Sequence, residues 1–321
     1  MTEVTMEIVP AEYKDIASLS AFASRIVREH FTPLIGAEQN EYMIRRFQSP
    51  EALQEAFESG YRYYWVKDDG KDAGFLAYQV RPDHLYLSKF YTDAPFRGRH
   101  LAKKMLDFVI ARAEEENRSV IRLNVNKDNA GPVAVYRHLG FAVTSFEKND
   151  IGNGFVMDDY VMEYYLNHDF RIKDGTGYLD EIRQLIIEYT AFLGRDLSFQ
   201  DLEGEMKDLA AKYSGSQGEI LAAVNRQGEV GGCVAYHRHN DSRCEMKRLF
   251  VRPQYRRLHI GDMLAGEIKA HAREAGYTEM VLDTIEPLQA AIRLYHKQGF
   301  AECGAYYDNP MDDVIYMSCA L

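Results

Sequence analysis

The sequence lacks any apolar run that approaches the roughly eighteen consecutive residues needed for a membrane-spanning helix. Residues 1–16 are acidic and mixed, whereas a secretory leader begins with a basic segment followed by an apolar one. Together these absences predict a cytoplasmic protein that has no membrane partner.

Cysteine is also scarce. The chain has four cysteines, all in its second half, at Cys233, Cys244, Cys303 and Cys319. Their spacing is not that of paired metal ligands, and a cytoplasmic protein keeps its thiols reduced. We therefore expect reduced thiols and no metal site.

Positive charge is in deficit, with 38 lysine and arginine residues against 49 aspartate and glutamate residues and a net charge of −11. Nonspecific nucleic-acid binding relies on lysine and arginine to neutralise phosphates, so this balance argues against it. An acidic surface favours solubility and could equally attract cationic amine substrates, and composition does not separate these two effects.

What the sequence does contain is an internal repeat. The stretch 89–102 (KFYTDAPFRGRHLA) returns as 248–261 (RLFVRPQYRRLHIG), an offset of 159 positions (256 − 97). A chain of 321 residues, 46% of them hydrophobic, is long enough for two globular domains of roughly 100 to 200 residues each. Because repetition at a fixed period indicates similar units, we predict tandem domains at 1–166 and 167–321.

Each copy predicts a strand, a basic turn that contains Pro95 or Pro253, and a helix that begins near Leu101 or Ile260. A helix N-terminus presents unpaired N–H groups and the positive end of the helix dipole, so it can hold a diphosphate. An ordinary amphipathic helix after a basic turn has the same pattern, so one copy alone is weak evidence. Two copies, each with Tyr-x-x-x-Gly-Phe downstream, are stronger evidence for the fold.

The repeated pattern resembles the GNAT superfamily of acyl-CoA-dependent N-acyltransferases. The family pattern is Gln/Arg-x-x-Gly-x-Gly/Ala, and this chain has RGRHLA at 97–102 and RRLHIG at 256–261. His100 and His259 stand at the middle glycine of the family pattern. Histidine keeps the backbone N–H there, but its freedom to take a positive φ is much reduced.

The resemblance implies an α/β (α+β) fold of two tandem GNAT-like domains. Each would have a mixed, mostly antiparallel sheet flanked by helices, with a splayed fourth strand. In the first copy the sequence predicts a helix over 15–29 that is broken by residues 30–36, and the resemblance makes residues 31–36 a candidate substrate loop. A plain connector between helices is an equally good interpretation. In the second copy, 197–212 is predicted to be helical.

Acetyl-CoA is the cofactor that the resemblance implies, with the fourth strand along the pantetheine and the basic turn at the diphosphate. In the first copy the implied cofactor-binding residues are Phe90, Tyr91, Thr92, Arg97, Gly98, Arg99, His100, Leu101, Ala102, Lys103 and Asn129. In the second copy they are Leu249, Phe250, Val251, Arg256, Arg257, Leu258, His259, Ile260 and Gly261. Since Leu288 and Asp262 replace Asn129 and Lys103, cofactor binding is better supported in the first copy.

The resemblance also implies catalytic residues. Tyr136 and Tyr295 stand at the family position of the general acid that protonates the thiolate, although each could be a core tyrosine. Glu245 stands where some relatives carry the general base, and the alternative is an edge carboxylate that faces solvent. The first copy has Tyr86 at that position, so it would need a water chain or another acid.

The resulting interpretation is an N-acetyltransferase that transfers an acetyl group from acetyl-CoA to a primary amine of a small molecule. In the alternative, one domain is catalytic and the other is a degenerate acyl-CoA-binding or scaffolding module. Residues 41–43 and 152–162 show a loose likeness to bacterial polyamine acetyltransferases, and a peptide acceptor is a third possibility.

Overall fold

The computed structural model describes residues 6–195 and 201–321. Their contacts divide the chain into two units. One contains the residues up to Phe141 together with Phe146–Leu166, and the other contains Ala142–Ser145 together with Asn167–Leu321. None of the helices in the described ranges is long and apolar enough to cross a bilayer.

The first sheet and its helices follow the order of the repeat. The strands are β1 (Met6–Pro10), β2 (Arg62–Asp68), β3 (Lys71–Val80), β4 (Leu85–Thr92), β5 (Val120–Asn126), β6 (Ala142–Gly152) and β7 (Phe155–Tyr165). The helices are α1 (Ile16–Ile35), α2 (Ala37–Phe47), α3 (Pro50–Glu58), α4 (Leu101–Glu115) and α5 (Ala130–Leu139).

The second sheet repeats this plan. Its strands are β8 (Arg171–Asp174), β9 (Gly218–Val224), β10 (Val230–Arg238), β11 (Arg243–Val251), β12 (Glu279–Ile285), β13 (Ala301–Glu302) and β14 (Val314–Ala320). The described helices are α6 (Leu179–Leu193), α7 (Leu202–Lys207), α8 (Leu209–Lys212), α9 (Ile260–Glu274) and α10 (Gln289–Lys297).

Both sheets are mixed and have seven strands, in the orders β1-β2-β3-β4-β5-β7-β6 and β13-β14-β12-β11-β10-β9-β8. The parallel contact in each lies between the fourth and fifth strands of the repeat, and it is short. β4 pairs with β5 only at Leu85 and Tyr86, and β11 pairs with β12 only from Arg243 to Glu245. The predicted fold, including the splayed fourth strand, is confirmed.

Burial explains why these segments form sheet and helix. β5 alternates buried and half-buried residues, as expected of a strand with one face on the core. α1 buries Leu19, Ala23 and Ile26 at helical spacing, and they pack in a cluster that includes Trp65 and Phe75. The helix therefore forms one wall over the sheet of the first unit.

The predicted break in the first helix is wrong. α1 continues to Ile35 through Pro33 and ends at Gly36, which has φ +81°. A proline inside a helix leaves a carbonyl of the preceding turn without its donor. For Pro33 that carbonyl belongs to Glu29. Asn40, which is buried, donates its amide to the carbonyls of Val27 and Arg28 and to the Thr32 hydroxyl, and so ties α2 to the last turns of α1.

The prediction of one helix over 197–212 is also corrected. Residues 196–200 lie outside the described residues, and the rest forms two short helices, α7 and α8, that meet at Asp208. Asp208 has an extended backbone (φ −144°), and its side chain accepts a hydrogen bond from the N–H of Ala211 at 2.9 Å. An N-cap aspartate starts a new helix at this point, because it satisfies an N–H that has no helical partner.

Candidate active site

The splay between β4 and β5 opens a cavity of about 870 Å³ in the first unit. Beyond Tyr86 the described pairing gives β4 no partner on the side that faces β5, so its backbone there is free to pair with a ligand. α1 and α2 contribute apolar side chains, including Phe31, Ile35, Met43 and Phe47. Of residues 31–36, Phe31 and Ile35 thus lie at the cavity, and they belong to the last turns of a helix and not to a loop.

Most of the residues predicted to bind the cofactor in the first unit meet at this cavity. Tyr136 lines it as well. The nine that line it are Phe90, Tyr91, Thr92, Arg97, Gly98, His100, Leu101, Ala102 and Asn129.

Arg99 and Lys103, also predicted to bind the cofactor, are not among the residues that line the cavity. Arg99 Nη1 lies 2.6 Å from Asp68 Oδ2, and Lys103 pairs with Asp107 one turn along the same helix. Both cations point to carboxylates of the chain, so Arg97 is the cation that the basic turn contributes to the cavity.

The start of α4 has the geometry of an anion site. His100 is the N-cap and takes a left-handed conformation (φ 59°), and its side chain makes no capping hydrogen bond. Gly98 also has a positive φ of 76°. The expected restriction at histidine is thus overcome in the fold, at a cost of roughly 1–2 kcal/mol, and the N–H groups of the first turn remain without a side-chain cap.

Tyr136 is held by aromatic packing at the inner end of the cavity. Its ring centroid lies 6.0 Å from that of Phe90 and 5.7 Å from that of Phe141. Burial raises the pKa of the Tyr136 phenol well above its ordinary value, and the neighbouring Tyr91 adds to this. The hydroxyl is therefore protonated at neutral pH, so it has a proton to donate, and it is a weaker acid than a free phenol.

Asp159, which is not among the residues predicted from the sequence, brings a carboxyl group into the same cavity. It lies on β7, is 2% exposed, and its Oδ1 has no hydrogen-bond partner in the described structure. Burial, together with Asp158 and Glu147, raises the pKa of Asp159 to about 6. A signal was present in the sequence, because Asp159 falls inside the stretch 152–162 that has a loose likeness to polyamine acetyltransferases.

Two further residues at the cavity had no clear sequence signal. His30 of α1 lies with Nε2 3.0 Å from Asn129 Oδ1 and so fixes the orientation of that amide. Lys89 of β4 also lines the cavity. Only the packing of α1 and α2 over the sheet shows that these side chains share one space.

The second unit is far less open at the corresponding splay, between β11 and β12. The cavity at its splay has a volume of about 60 Å³, and of the residues predicted for this unit only Leu249 and Tyr295 line it. Burial raises the pKa of Tyr295 far above that of a free phenol. The remaining predicted residues do not line it: Phe250, Val251, Arg256, Arg257, Leu258, His259, Ile260 and Gly261.

Side chains of the second unit fill the space that is open in the first. Arg248 and Glu205 form a buried bidentate ion pair, with Nε–Oε1 and Nη2–Oε2 distances of 2.6 and 2.9 Å. Arg248 occupies the position that Lys89 has in the first unit (248 − 89 = 159). Glu205 comes from α7, so this ion pair depends on the segment 197–212, which was predicted to be one helix and forms two.

The turn before α9 is also engaged by the unit's own residues. Arg256 lies over the ring of Phe192, 4.9 Å from its centroid, and the Asp262 carboxylate binds Lys297 at 2.5 Å. His168 lies against the backbone of Leu258, and burial lowers its pKa to about 4. A diphosphate would compete with these contacts and would meet the negative charge of Asp262.

Glu245 is not available as a general base in this geometry. It is 5% exposed, and its oxygens lie 2.7 Å from His237 Nε2 and 2.7 Å from Lys247 Nζ, while Tyr306 donates at 2.9 Å. Burial opposes its ionisation, but the hydrogen bond from His237 and the charge of Lys247 outweigh burial and hold the pKa at about 2. So weak a base does not take a proton from an amine at neutral pH.

Comparison with known proteins agrees with this architecture. The model of the acetyltransferase (GNAT) family matches residues 25–141 and 179–300. An uncharacterised N-acetyltransferase of Schizosaccharomyces pombe is 41% identical over 140 residues, which cover 43% of this chain and 86% of that protein. An IAA acetyltransferase of Azospirillum brasilense is 35% identical over 129 residues, covering 40% and 81% of the two chains.

Solved structures of single-domain size match about half of the chain. PaiA N-acetyltransferase from Thermoplasma acidophilum in complex with coenzyme A has 19% identity and a TM-score of 0.43, covering 50% of this chain and 99% of its own. A GNAT-family acetyltransferase from Staphylococcus aureus has 20% identity and a TM-score of 0.42, covering 47% and 98%. With both matched regions, the chain belongs to the acetyltransferase (GNAT) family and is an acyltransferase.

Proposed function

We propose that the protein is an acetyl-CoA-dependent N-acetyltransferase that acts on a primary amine of a small molecule, with the reaction in the first unit. The observation that supports this is the cavity of about 870 Å³, where the Arg97 turn, the open edge of β4 and Tyr136 meet. The second unit, with a cavity of about 60 Å³, is a noncatalytic partner.

The residues present fit acetyl-CoA. The uncapped start of α4, with Gly98 and Arg97 before it, suits a diphosphate, and the unpaired edge of β4 suits the amides of pantetheine. At Gly131, which also lines the cavity, an added Cβ would meet nothing within 4 Å, so the wall there leaves room. When bound, acetyl-CoA supplies the acetyl group as a thioester.

Two side chains of the first unit carry the protons. Asp159 Oδ1 takes the proton that the acceptor amine loses as its nitrogen bonds to the acetyl carbon. Tyr136 Oη gives a proton to the sulfur as its bond to that carbon breaks. An aspartate with a pKa of about 6 is ionised at neutral pH yet more basic than an ordinary aspartate, which suits this role.

Arginine substitutions in the two units test the proposal as a matched pair. We expect Arg97→Glu to raise the KM for acetyl-CoA by on the order of tenfold or more, because it replaces a cation with an anion at the diphosphate end. Arg256→Glu is expected to change it by less than about twofold. The measurement is release of free thiol from acetyl-CoA with a panel of primary amines.

Equal effects of the two arginines would contradict the assignment of the reaction to the first unit. If the wild-type protein acetylates no amine in the panel, the proposed function itself is wrong.

The tyrosines provide a second matched pair. Tyr136→Phe removes the proposed proton donor and keeps the ring packing, so kcat is expected to fall by about 10²-fold with little change in the KM for acetyl-CoA. Tyr295→Phe is expected to leave kcat unchanged. A Tyr136→Phe enzyme with normal kcat would show that Tyr136 is only a core residue.

A further inference from the structure

Lys89 places an ammonium group at the cavity of the first unit. Its side chain leaves β4, is half-buried and lines the cavity. Gln48, at the end of α2, turns its amide oxygen to Lys89 Nζ at 2.9 Å when its nitrogen faces the Phe47 carbonyl. This amide is a neutral partner, so it does not balance the charge.

Within the described ranges, Lys89 forms no ion pair with any carboxylate of the chain. Burial lowers the pKa of Lys89 to about 8, and no charged neighbour contributes to the shift. The group is still mostly protonated at neutral pH. A half-buried cation that lacks a counter-ion becomes more favourable when a ligand supplies an anion.

The repeat shows which chemical group pairs with a cation at this position of the fourth strand. Arg248, 159 positions later, is the equivalent residue of the second unit, and Glu205 binds it through both carboxylate oxygens. In the second unit the chain therefore provides the carboxylate. In the first unit the same place on the fourth strand opens to the cavity.

The other charged groups at this end of the cavity add to the positive potential. Arg81 lines the cavity, and its guanidinium lies over the ring of Tyr86 at 4.1 Å. Asp159 is the one acidic side chain among the described residues that line the cavity. The cavity thus contains two cations, Lys89 and Arg81, and one carboxylate, Asp159, in addition to Arg97 at the proposed diphosphate end.

We infer that Lys89 binds a carboxylate of the acceptor, so that the substrate class is an amine that also carries a carboxylate group. This rests on the proposed function. The amine end is received by Asp159, and the apolar residues of α1 and α2 contact the carbon skeleton between the two ends. A polyamine fits less well, because it brings only positive charge to a site that already contains Lys89 and Arg81.

The test uses the full-length protein and pairs of acceptors that differ only by the carboxylate, such as an amino acid and its decarboxylated amine, with spermidine as a polyamine probe. Turnover is followed by thiol release, and binding to the protein saturated with coenzyme A is followed by calorimetry. We expect kcat/KM and affinity to favour the carboxylate member by on the order of tenfold or more.

Lys89→Met is expected to remove this preference by raising the KM of the carboxylate member, while kcat changes less. Lys89→Arg is expected to keep much of the preference, because it keeps the charge. Lys71→Met, at an exposed lysine of the β2–β3 hairpin outside the cavity, controls for the loss of one positive charge and is expected to behave as the wild type.

Each outcome separates the two proposals. Turnover without a preference for the carboxylate member, or a preference for spermidine, overturns the inference and leaves the acetyltransferase function standing. A preference in binding that Lys89→Met abolishes, without turnover of any amine, supports the inference and contradicts the proposed function. Acetylation of Lys89 itself, found by mass spectrometry with no carboxylate preference, also overturns the inference.

Discussion

Asp159→Asn is expected to reduce kcat by 10²- to 10⁴-fold, the usual contribution of a general base, and at the same time to stabilise the protein at pH 8. The first effect follows from loss of the proton acceptor in the cavity. The second follows because the wild-type carboxylate is 2% exposed, has an unpartnered oxygen and must carry its charge there. Catalysis and stability are therefore expected to change in opposite directions.

The pH dependence of Asp159→Asn has a defined sign. The pKa of Asp159 in the folded protein, about 6, is above its ordinary value because burial disfavours the charged form. Ionisation of Asp159 therefore does not change the free energy of unfolding below about pH 4. Above about pH 6 it lowers that free energy by up to about 3 kcal/mol. Wild-type kcat should rise with pH through about 6, and this rise should be absent in Asp159→Asn.

Asp158→Asn is the matched control, since it removes the same charge from the adjacent residue of β7, which does not line the cavity. It should change kcat by less than about threefold. Thermal unfolding and steady-state rates of both variants between pH 5 and 9 are the measurements. A destabilised Asp159→Asn protein with normal kcat would show that the carboxylate serves structure and not catalysis.

Glu205→Gln is expected to destabilise the second unit by about 3–5 kcal/mol, the range for removing one partner of a buried ion pair. The Arg248 and Glu205 side chains are 3% and 0% exposed, so the guanidinium would stay buried without its counter-ion. Lys212 Nζ, 2.6 Å from Glu205, would lose a partner as well. The effect is large because the Arg248 side chain, 3% exposed, is shielded from the solvent that would otherwise stabilise its charge.

The pKa of Glu205 gives a second check. Burial opposes its ionisation, but Arg248 and Lys212 outweigh burial and depress the pKa to about 2. A carboxylate whose pKa is lowered by folding stabilises the protein at pH values above its unfolded pKa of about 4.3. This stabilisation is lost as the pH falls towards 2. The difference between wild type and Glu205→Gln should therefore shrink between about pH 5 and pH 2.

Glu203→Gln, at an exposed position of the same helix, controls for the change in net charge and should shift stability by less than about 0.5 kcal/mol. Calorimetry of the full-length protein resolves the unit that is affected. If the Glu205→Gln protein unfolds at the same temperature as the wild type, the Arg248–Glu205 ion pair does not stabilise the second unit.

Local patterns predicted the backbone well where they were strong. The hairpins, the basic turns and the helices that begin at Leu101 and Ile260 were all expected from periodicity, Pro, Gly and the repeat. Local patterns failed at α1, which was predicted to end at residue 29 but continues to Ile35, and at α7 and α8. Asn40 on the next helix donates to the carbonyls of Val27 and Arg28 in α1, and a partner of this kind is invisible in the segment itself.

The candidate site divides in the same way. Arg97, His100 and Tyr136 were identified from short motifs, because the family pattern constrains backbone conformation at the turn and helix. Asp159, Lys89 and His30 were missed as site residues, because their importance comes from burial and from neighbours that are distant in sequence. Glu245 had a suitable position on its strand, but His237 and Lys247 bind its carboxylate.

By itself, then, the sequence determined two tandem units of one fold and the location of a diphosphate-type helix start in each. Arg97 and Arg256 stand in nearly the same local pattern. Leu288 and Asp262, in place of Asn129 and Lys103, favoured cofactor binding in the first unit, but they did not show which unit has an open cavity. Only the tertiary structure decided that difference, because the second unit is filled by Glu205, which reaches Arg248 across 43 positions of sequence. The volume of a cavity depends on the side chains of every helix and strand around it. A repeat of short local motifs does not determine all of those side chains.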